Sequence, residues 1–276
     1  MPIATLHDGS ALDVQIHGTG PSLLIPVNPV PVEGSHADEM RKWGADPALG
    51  AALIDGLADR FRVITFDYEG HVLRYPMPDT LTPDHLAADF TAIAATAEAD
   101  TFAYYGYSWL ALAGLQLAIR SDRLTALVMG GFPAIGGPYA EMLAVTTAAH
   151  RMSLAPAEPA GEVTPGDWDS VTMTMPEAQT RQFVTLYESL RGFDDGAVDL
   201  DIPRLCFAGS ADTIAYGDKW GGVTVDIARP VVREAATLAR KGWEVRVLDG
   251  LDHTGAMQAA AVLPIIKPWL VRNVPA

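Results

Sequence analysis

The stretch FAYYGYSWLALAGLQLAIR, Phe102 to Arg120, sets a lone hydroxyl between two apolar runs. Aromatic-rich, strand-like chain leads into Gly106-Tyr107-Ser108, and an Ala/Leu-rich helical pattern follows at once. A structural reading makes Ser108 the N-cap of that helix on a tight turn. A chemical reading makes it a nucleophile held on a strained turn. Either way the segment is a strand that passes directly into a helix, and the rest of the chain repeats the theme. Short β-type runs alternate with longer helical patterns, as in a mostly parallel sheet covered by helices.

SLLIPV and FRVITFDY are continuous apolar runs of the kind expected for strands buried on both faces. ALDVQIHG reads as an early strand ending in the turn GTGP, and TPDHLAADFTAIAATAEA as a helix with a Thr cap. LTALVMGGF reads as another buried strand. The pattern changes near Pro133, where prolines, methionines and amphipathic helical runs such as PEAQTRQFVTLYESLRGF replace it. Strand–helix–strand order resumes with PRLCFAGSAD, ARPVVREAATLARKG and WEVRVLDGLDH, before a last helix. The expected organisation is an α/β core over residues 1–132 and 201–276, interrupted by a helical cap over 133–200.

Charge disfavours some partners. Thirty-four acidic against 19 basic residues leave a net charge of −15. No basic field exists to attract nucleic acid or an anionic membrane. The single cysteine, Cys206, lies in the apolar run RLCFAG and reads as a buried structural thiol. The N-terminus lacks the basic and long apolar regions of a signal peptide, and no run is long enough to span a bilayer, so a soluble cytoplasmic protein is expected. No H-E-x-x-H, Walker or G-x-G-x-x-G motif occurs, and no cofactor or metal is implied.

A serine hydroxyl needs a base to become a nucleophile. Of seven histidines, His253 stands in the loop DGLDH, after a late strand and before a helix. That loop should open onto the same sheet edge as Ser108. His7, His17, His85 and His150 read as surface turns or helix faces. The base in turn needs an acid, and Asp212 ends an apolar strand in GSAD. Asp249 and Asp252 compete by proximity, but an adjacent residue such as Asp252 curls back poorly onto its neighbour's ring. The order Ser108, Asp212, His253, each on a post-strand loop, points to nucleophilic catalysis.

With these residues in view, the chain resembles the α/β-hydrolase fold superfamily over nearly its whole length. GYSWLA resembles the nucleophile elbow, although Leu110 stands where the motif has its second glycine. GSAD resembles the acid turn and GLDH the histidine loop. FDYEGH resembles the D-x-x-G-H/R segment, in which Asp67 would brace a turn. NPVP, Asn28 to Pro31, resembles the H-G-x-P segment, with Asn28 in the histidine's place and Pro29 where glycine is usual. The resemblance implies an oxyanion hole of the Trp109 and Val30 N–H groups.

The expected activity is hydrolysis of a carboxylic ester or lactone through an acyl-enzyme. Carbon–carbon bond hydrolysis, acyl transfer, or ligand binding without turnover stand as alternatives. Asn28, Tyr107, His36 and Trp168 are candidate substrate contacts, with Glu33 and Trp43 as further pocket candidates. The cap's Met152, Met173, Met175, Phe183 and Tyr187 read as packing more than as a ligand box, while its apolar side chains, with Tyr107 and Trp109, predict a closed and largely hydrophobic pocket for a small uncharged substrate. Arg151, Arg181 and Arg191 fall on helix faces expected to meet solvent.

Overall fold

The computed structural model describes residues 1–156, 161 and 163–274. The chain begins with the strands β1 (Ile3–Thr5), β2 (Ala11–Asp13), β3 (Gln15–His17) and β4 (Ser22–Ile25). Helices α1 (Gly34–Lys42) and α2 (Leu49–Leu57) lead to β5 (Arg62–Thr65), then to α3 (Tyr68–Arg74) and α4 (Pro83–Thr96). The central unit is β6 (Phe102–Tyr107), α5 (Trp109–Arg120) and β7 (Leu124–Gly130). Helices α6 (Tyr139–Leu154) and α7 (Glu177–Ser189) precede β8 (Arg204–Gly209), β9 (Thr213–Ala215) and β10 (Thr224–Asp226). Helices α8 (Ala228–Arg233) and α9 (Ala235–Arg240), strand β11 (Trp243–Leu248) and helix α10 (Ala259–Asn273) complete it.

Seven strands form the main sheet in the order β11-β8-β7-β6-β4-β5-β3. All neighbours pair in parallel except the edge strand β3, which runs antiparallel to β5. Both faces are buried, which is why the strands read as unbroken apolar runs. Phe102 and Tyr104 of β6 pack on the α4 and α5 side, with Leu127 and Met129 of β7 and Cys206 of β8. The alternate residues Ala103, Tyr105, Val128, Leu205 and Phe207 face α2 and α10 on the other side. The two-residue period of a strand thus sorts one apolar run into two cores.

Three details were not legible in the sequence. The long stretch after Pro31 contains α1, held on its surface by the pairs Arg41–Asp38 and Lys42–Glu39 one turn apart. The β9–β10 hairpin interrupts the expected passage from β8 to the next helix. The single helix expected over ARPVVREAATLARKG is two short ones, broken at Glu234. Among the described residues between β7 and β8 there are helices and turns but no strand. No helix among the described residues is long and apolar enough to cross a membrane.

Strand order decides where a ligand would enter. From β4 the chain moves outward to β5, then returns so that β6 lies on the other side of β4. Chains leaving β4 and β6 diverge, and a crevice opens at their carboxyl ends. Ile25–Asn28, at and beyond the end of β4, and Tyr105–Leu110, from the end of β6 into α5, both line a cavity there.

Candidate active site

Ser108 occupies the turn between β6 and α5 with φ +56 and ψ −132. Only Ser108 and Glu98 among the described non-glycine residues have positive φ. That conformation costs roughly 1–3 kcal/mol and persists only where the surroundings enforce it. Here the Ser108 N–H donates to the Gly130 carbonyl at 2.8 Å. Crowding is relieved by glycines. A Cβ on Gly106 would lie 2.4 Å from the Leu110 carbonyl oxygen, and one on Gly131 would lie 2.5 Å from the Tyr107 ring. Leu110, where the elbow motif has glycine, is accommodated because its side chain enters the core while its carbonyl accepts the Tyr104 hydroxyl at 2.7 Å.

The three residues singled out from separate loops come together. Ser108 Oγ lies 3.1 Å from His253 Nε2. His253 Nδ1 lies 2.9 and 3.0 Å from the two carboxylate oxygens of Asp212. Asp212 is fully buried, and its backbone carbonyl accepts the N–H groups of Ile227 and Ala228. The unforeseen β9–β10 hairpin therefore positions the acid, because it returns the chain to Asp212. The competing carboxylates serve elsewhere: Asp252 accepts the Gly255 N–H at 2.7 Å, and Asp249 faces Ser210. Tyr107 donates its hydroxyl to the His253 carbonyl at 2.7 Å, tying the histidine loop to the serine strand. Burial pushes that phenol far above its usual range.

Two cavities, of about 500 Å³ and 300 Å³, meet at this arrangement; Ser108, Trp109, His253 and Glu69 line both. Asn28, His36 and Tyr107 line the larger lobe, and Trp168, Phe183 and Tyr187 the smaller. The chain between β7 and β8 thus supplies a wall opposite the sheet edge. Trp168 packs on Trp43, ring centroids 5.6 Å apart, but Trp43 and the exposed Glu33 line neither lobe. Met152, Met173 and Met175 also lie outside the walls. The four other histidines named above pair structurally: His7 with Asp89 and Thr80, His85 with the Thr80 carbonyl, His17 with Gln15 and His150 with Thr180.

Val30 does not fit the role expected of it. Its N–H donates to Asn28 Oδ1 at 3.0 Å, the residue is 56% exposed, and it lines neither lobe. The reason is distance along the chain: β4 ends at Ile25, so Pro26 to Asn28 are the residues that cross the crevice. The backbone N–H groups of Asn28 and Trp109 have no acceptor among the described residues. Helix α2 lies so close that a Cβ on Gly50 would fall 1.9 Å from the Asn28 carbonyl oxygen. Asp67 does brace its turn, accepting the Gly70 N–H at 3.0 Å.

The largely hydrophobic pocket expected from the sequence also holds a charged group. Glu69, two residues after Asp67, stands in the wall common to both lobes and accepts the Trp109 indole N–H at 3.1 Å. The sequence signal for it was present: FDYEGH follows a strand that ends at the same edge as Ser108.

No protein-family model and no curated protein sequence matches the chain. Solved structures do. An esterase from Thermogutta terrifontis, with malate bound, superposes with a TM-score of 0.59 at 18% identity, covering 100% of this chain and 99% of its own. The chain has the α/β-hydrolase fold. An enol-lactonase from Burkholderia xenovorans LB400 shares the fold at TM-score 0.58 and 16% identity, over 98% of this chain and 100% of its own. So does an epoxide hydrolase from Vigna radiata, at TM-score 0.58 and 16% identity over 98% and 97%. In an α/β-hydrolase fold the loops at the carboxyl edge carry the variation, and function must be argued from the site.

Proposed function

We propose that this chain is a serine hydrolase of a small, uncharged carboxylic ester or lactone. One observation carries the reading: the Ser108–His253–Asp212 relay, with contacts of 3.1 and 2.9 Å, on a strained turn at the floor of a cavity. The esterase and lactonase activities named for structural neighbours accord with it.

In the proposed reaction His253 Nε2 takes the Ser108 Oγ proton as Oγ attacks the substrate carbonyl carbon. Asp212 accepts the Nδ1–H, fixing the tautomer and stabilising the imidazolium. The carbonyl π electrons move onto oxygen, and the N–H groups of Trp109 and Asn28 receive that oxyanion. Trp109 contributes as the first residue of α5, where backbone N–H groups are free and the helix dipole is positive. Collapse expels the alkoxide, which takes the proton from His253 Nε2. Water, deprotonated by the same nitrogen, then attacks the acyl carbonyl; the Ser108 Oγ–acyl bond breaks, Oγ takes the proton back from His253 Nε2, and the acid is released. In a lactone the expelled oxygen stays on the acyl chain.

Residues 133–200 are proposed as a cap that sets substrate size, with Trp168 and Phe183 as walls. A reducing, cytoplasmic setting suits the single buried thiol of Cys206. The test is labelling by a fluorophosphonate: stoichiometric modification at Ser108, absent in Ser108→Ala, is expected. Modification at another residue overturns the assignment.

A further inference from the structure

The relay and the oxyanion donors leave one charged group in the cavity unused. Glu69 stands where the two lobes meet, in a wall it shares with Ser108, Trp109 and His253. One carboxylate oxygen, Oε1, accepts the Trp109 indole N–H at 3.1 Å. The other has no protein donor among the described residues. Glu69 is exposed to solvent, and the space it borders is the cavity that both lobes share.

The other acidic groups in the walls are committed to their own loops. Asp46 accepts the Ala48 N–H at 2.8 Å and Asp67 the Gly70 N–H at 3.0 Å. No lysine or arginine lines either lobe among the described residues. Solvent serves the free oxygen while the cavity is open, so a substrate that displaces that solvent must supply a donor or leave a carboxylate unpaired without a cationic partner. Trp109 directly follows Ser108, so the indole hook holds Glu69 beside the acyl group that Ser108 would carry.

We propose that Glu69 determines specificity: its free oxygen accepts a hydrogen bond from an O–H or N–H donor on the substrate. This rests on the serine-hydrolase reading and narrows it to esters or lactones that carry such a donor near the reacting carbonyl. Substrates with a carboxylate in that place meet a like charge. Those with a methyl ether leave the Glu69 oxygen desolvated and unpaired. A hydrogen bond to a charged group implies roughly 10- to 100-fold discrimination against the ether.

The experiment compares kcat/KM for matched p-nitrophenyl esters whose acyl chains, of equal length, end in hydroxyl, ammonium, methyl ether or carboxylate. For the wild-type protein the hydroxyl ester is expected to exceed the ether roughly 10- to 100-fold, with the carboxylate slowest. Preference for ammonium alone overturns the proposal, because charge and not the hydrogen-bond donor then decides. Preference for both identifies the hydrogen bond as the common requirement. In Glu69→Gln the amide oxygen keeps the indole contact and its NH₂ faces the cavity, so the donor-to-ether ratio should fall to one or below. A wild-type ratio near one overturns the proposal without recourse to a variant, as does a ratio unchanged in Glu69→Gln. Labelling separates the two levels. If fluorophosphonate modifies Ser108 but the esters are not distinguished, the Glu69 assignment alone fails. If Ser108 is neither labelled nor active on any ester, both readings fail.

Discussion

Asp212→Asn tests the proposed chemistry with little change in shape. Both Asp212 oxygens face His253 Nδ1, at 2.9 and 3.0 Å, and the carboxyl group is fully buried. Asparagine fits the same space, but in either amide orientation an NH₂ group lies about where an oxygen lay, roughly 3 Å from Nδ1. That donor favours the tautomer with an unprotonated Nδ1 and a proton on Nε2. Nε2, 3.1 Å from Ser108 Oγ, then has no lone pair with which to take the serine proton. The imidazolium also loses its counter-charge. In comparable triads this change lowers kcat about 10⁴-fold, which is about 5.5 kcal/mol at 1.36 kcal/mol per tenfold. The assay is steady-state ester hydrolysis beside the rate of fluorophosphonate labelling, with circular dichroism to confirm folding. A loss smaller than about tenfold in a folded variant refutes the role of Asp212. So does a larger loss from Asp252→Asn, whose carboxylate holds the Gly255 N–H instead.

Ser108→Ala should lower turnover by on the order of 10⁶-fold, as removal of other triad serines does; retained activity by steady-state assay refutes the nucleophile. Tyr107→Phe removes the 2.7 Å hydrogen bond to the His253 carbonyl and should cost about 1–2 kcal/mol in urea denaturation. An unchanged midpoint would show that the bond contributes nothing. Gly106→Ala forces a Cβ to within 2.4 Å of the Leu110 carbonyl oxygen and should destabilise by about 1–3 kcal/mol. Partial desolvation beside the cavity walls raises the Glu69 carboxyl pKa, partly opposed by the Trp109 hydrogen bond, so the folded state holds this proton more tightly than the unfolded chain does. Folding stability from this group is therefore full at low pH and declines as pH rises through the raised value. Glu69→Gln should raise Tm at neutral pH and bring a smaller gain in acid; the opposite order in thermal melts would contradict the sign.

Much of the fold was legible in the sequence because local rules and global architecture agree. A strand buried on both faces must be apolar at every position, so β4 to β8 announce themselves. Gly106 beside Ser108 marks the turn, since no side chain fits there. The order Ser108, Asp212, His253 was readable because each residue stands on the turn or loop that follows a strand, and parallel strands deliver their ends to one edge. Helix α1 and the β9–β10 hairpin were not readable. Neither buries a continuous apolar face, so neither imposes a period on its residues. Tertiary structure alone decided the finer chemistry. Asn28 rather than Val30 crosses the crevice because β4 stops at Ile25, and strand ends are set by pairing with neighbours. Glu69 enters the cavity because the order β6-β4-β5 swings α3 across the Ser108 edge, where the Trp109 indole meets it. A sequence lists which groups are available. Which of them share a cavity follows from strand order, a property of pairings between residues far apart in the chain.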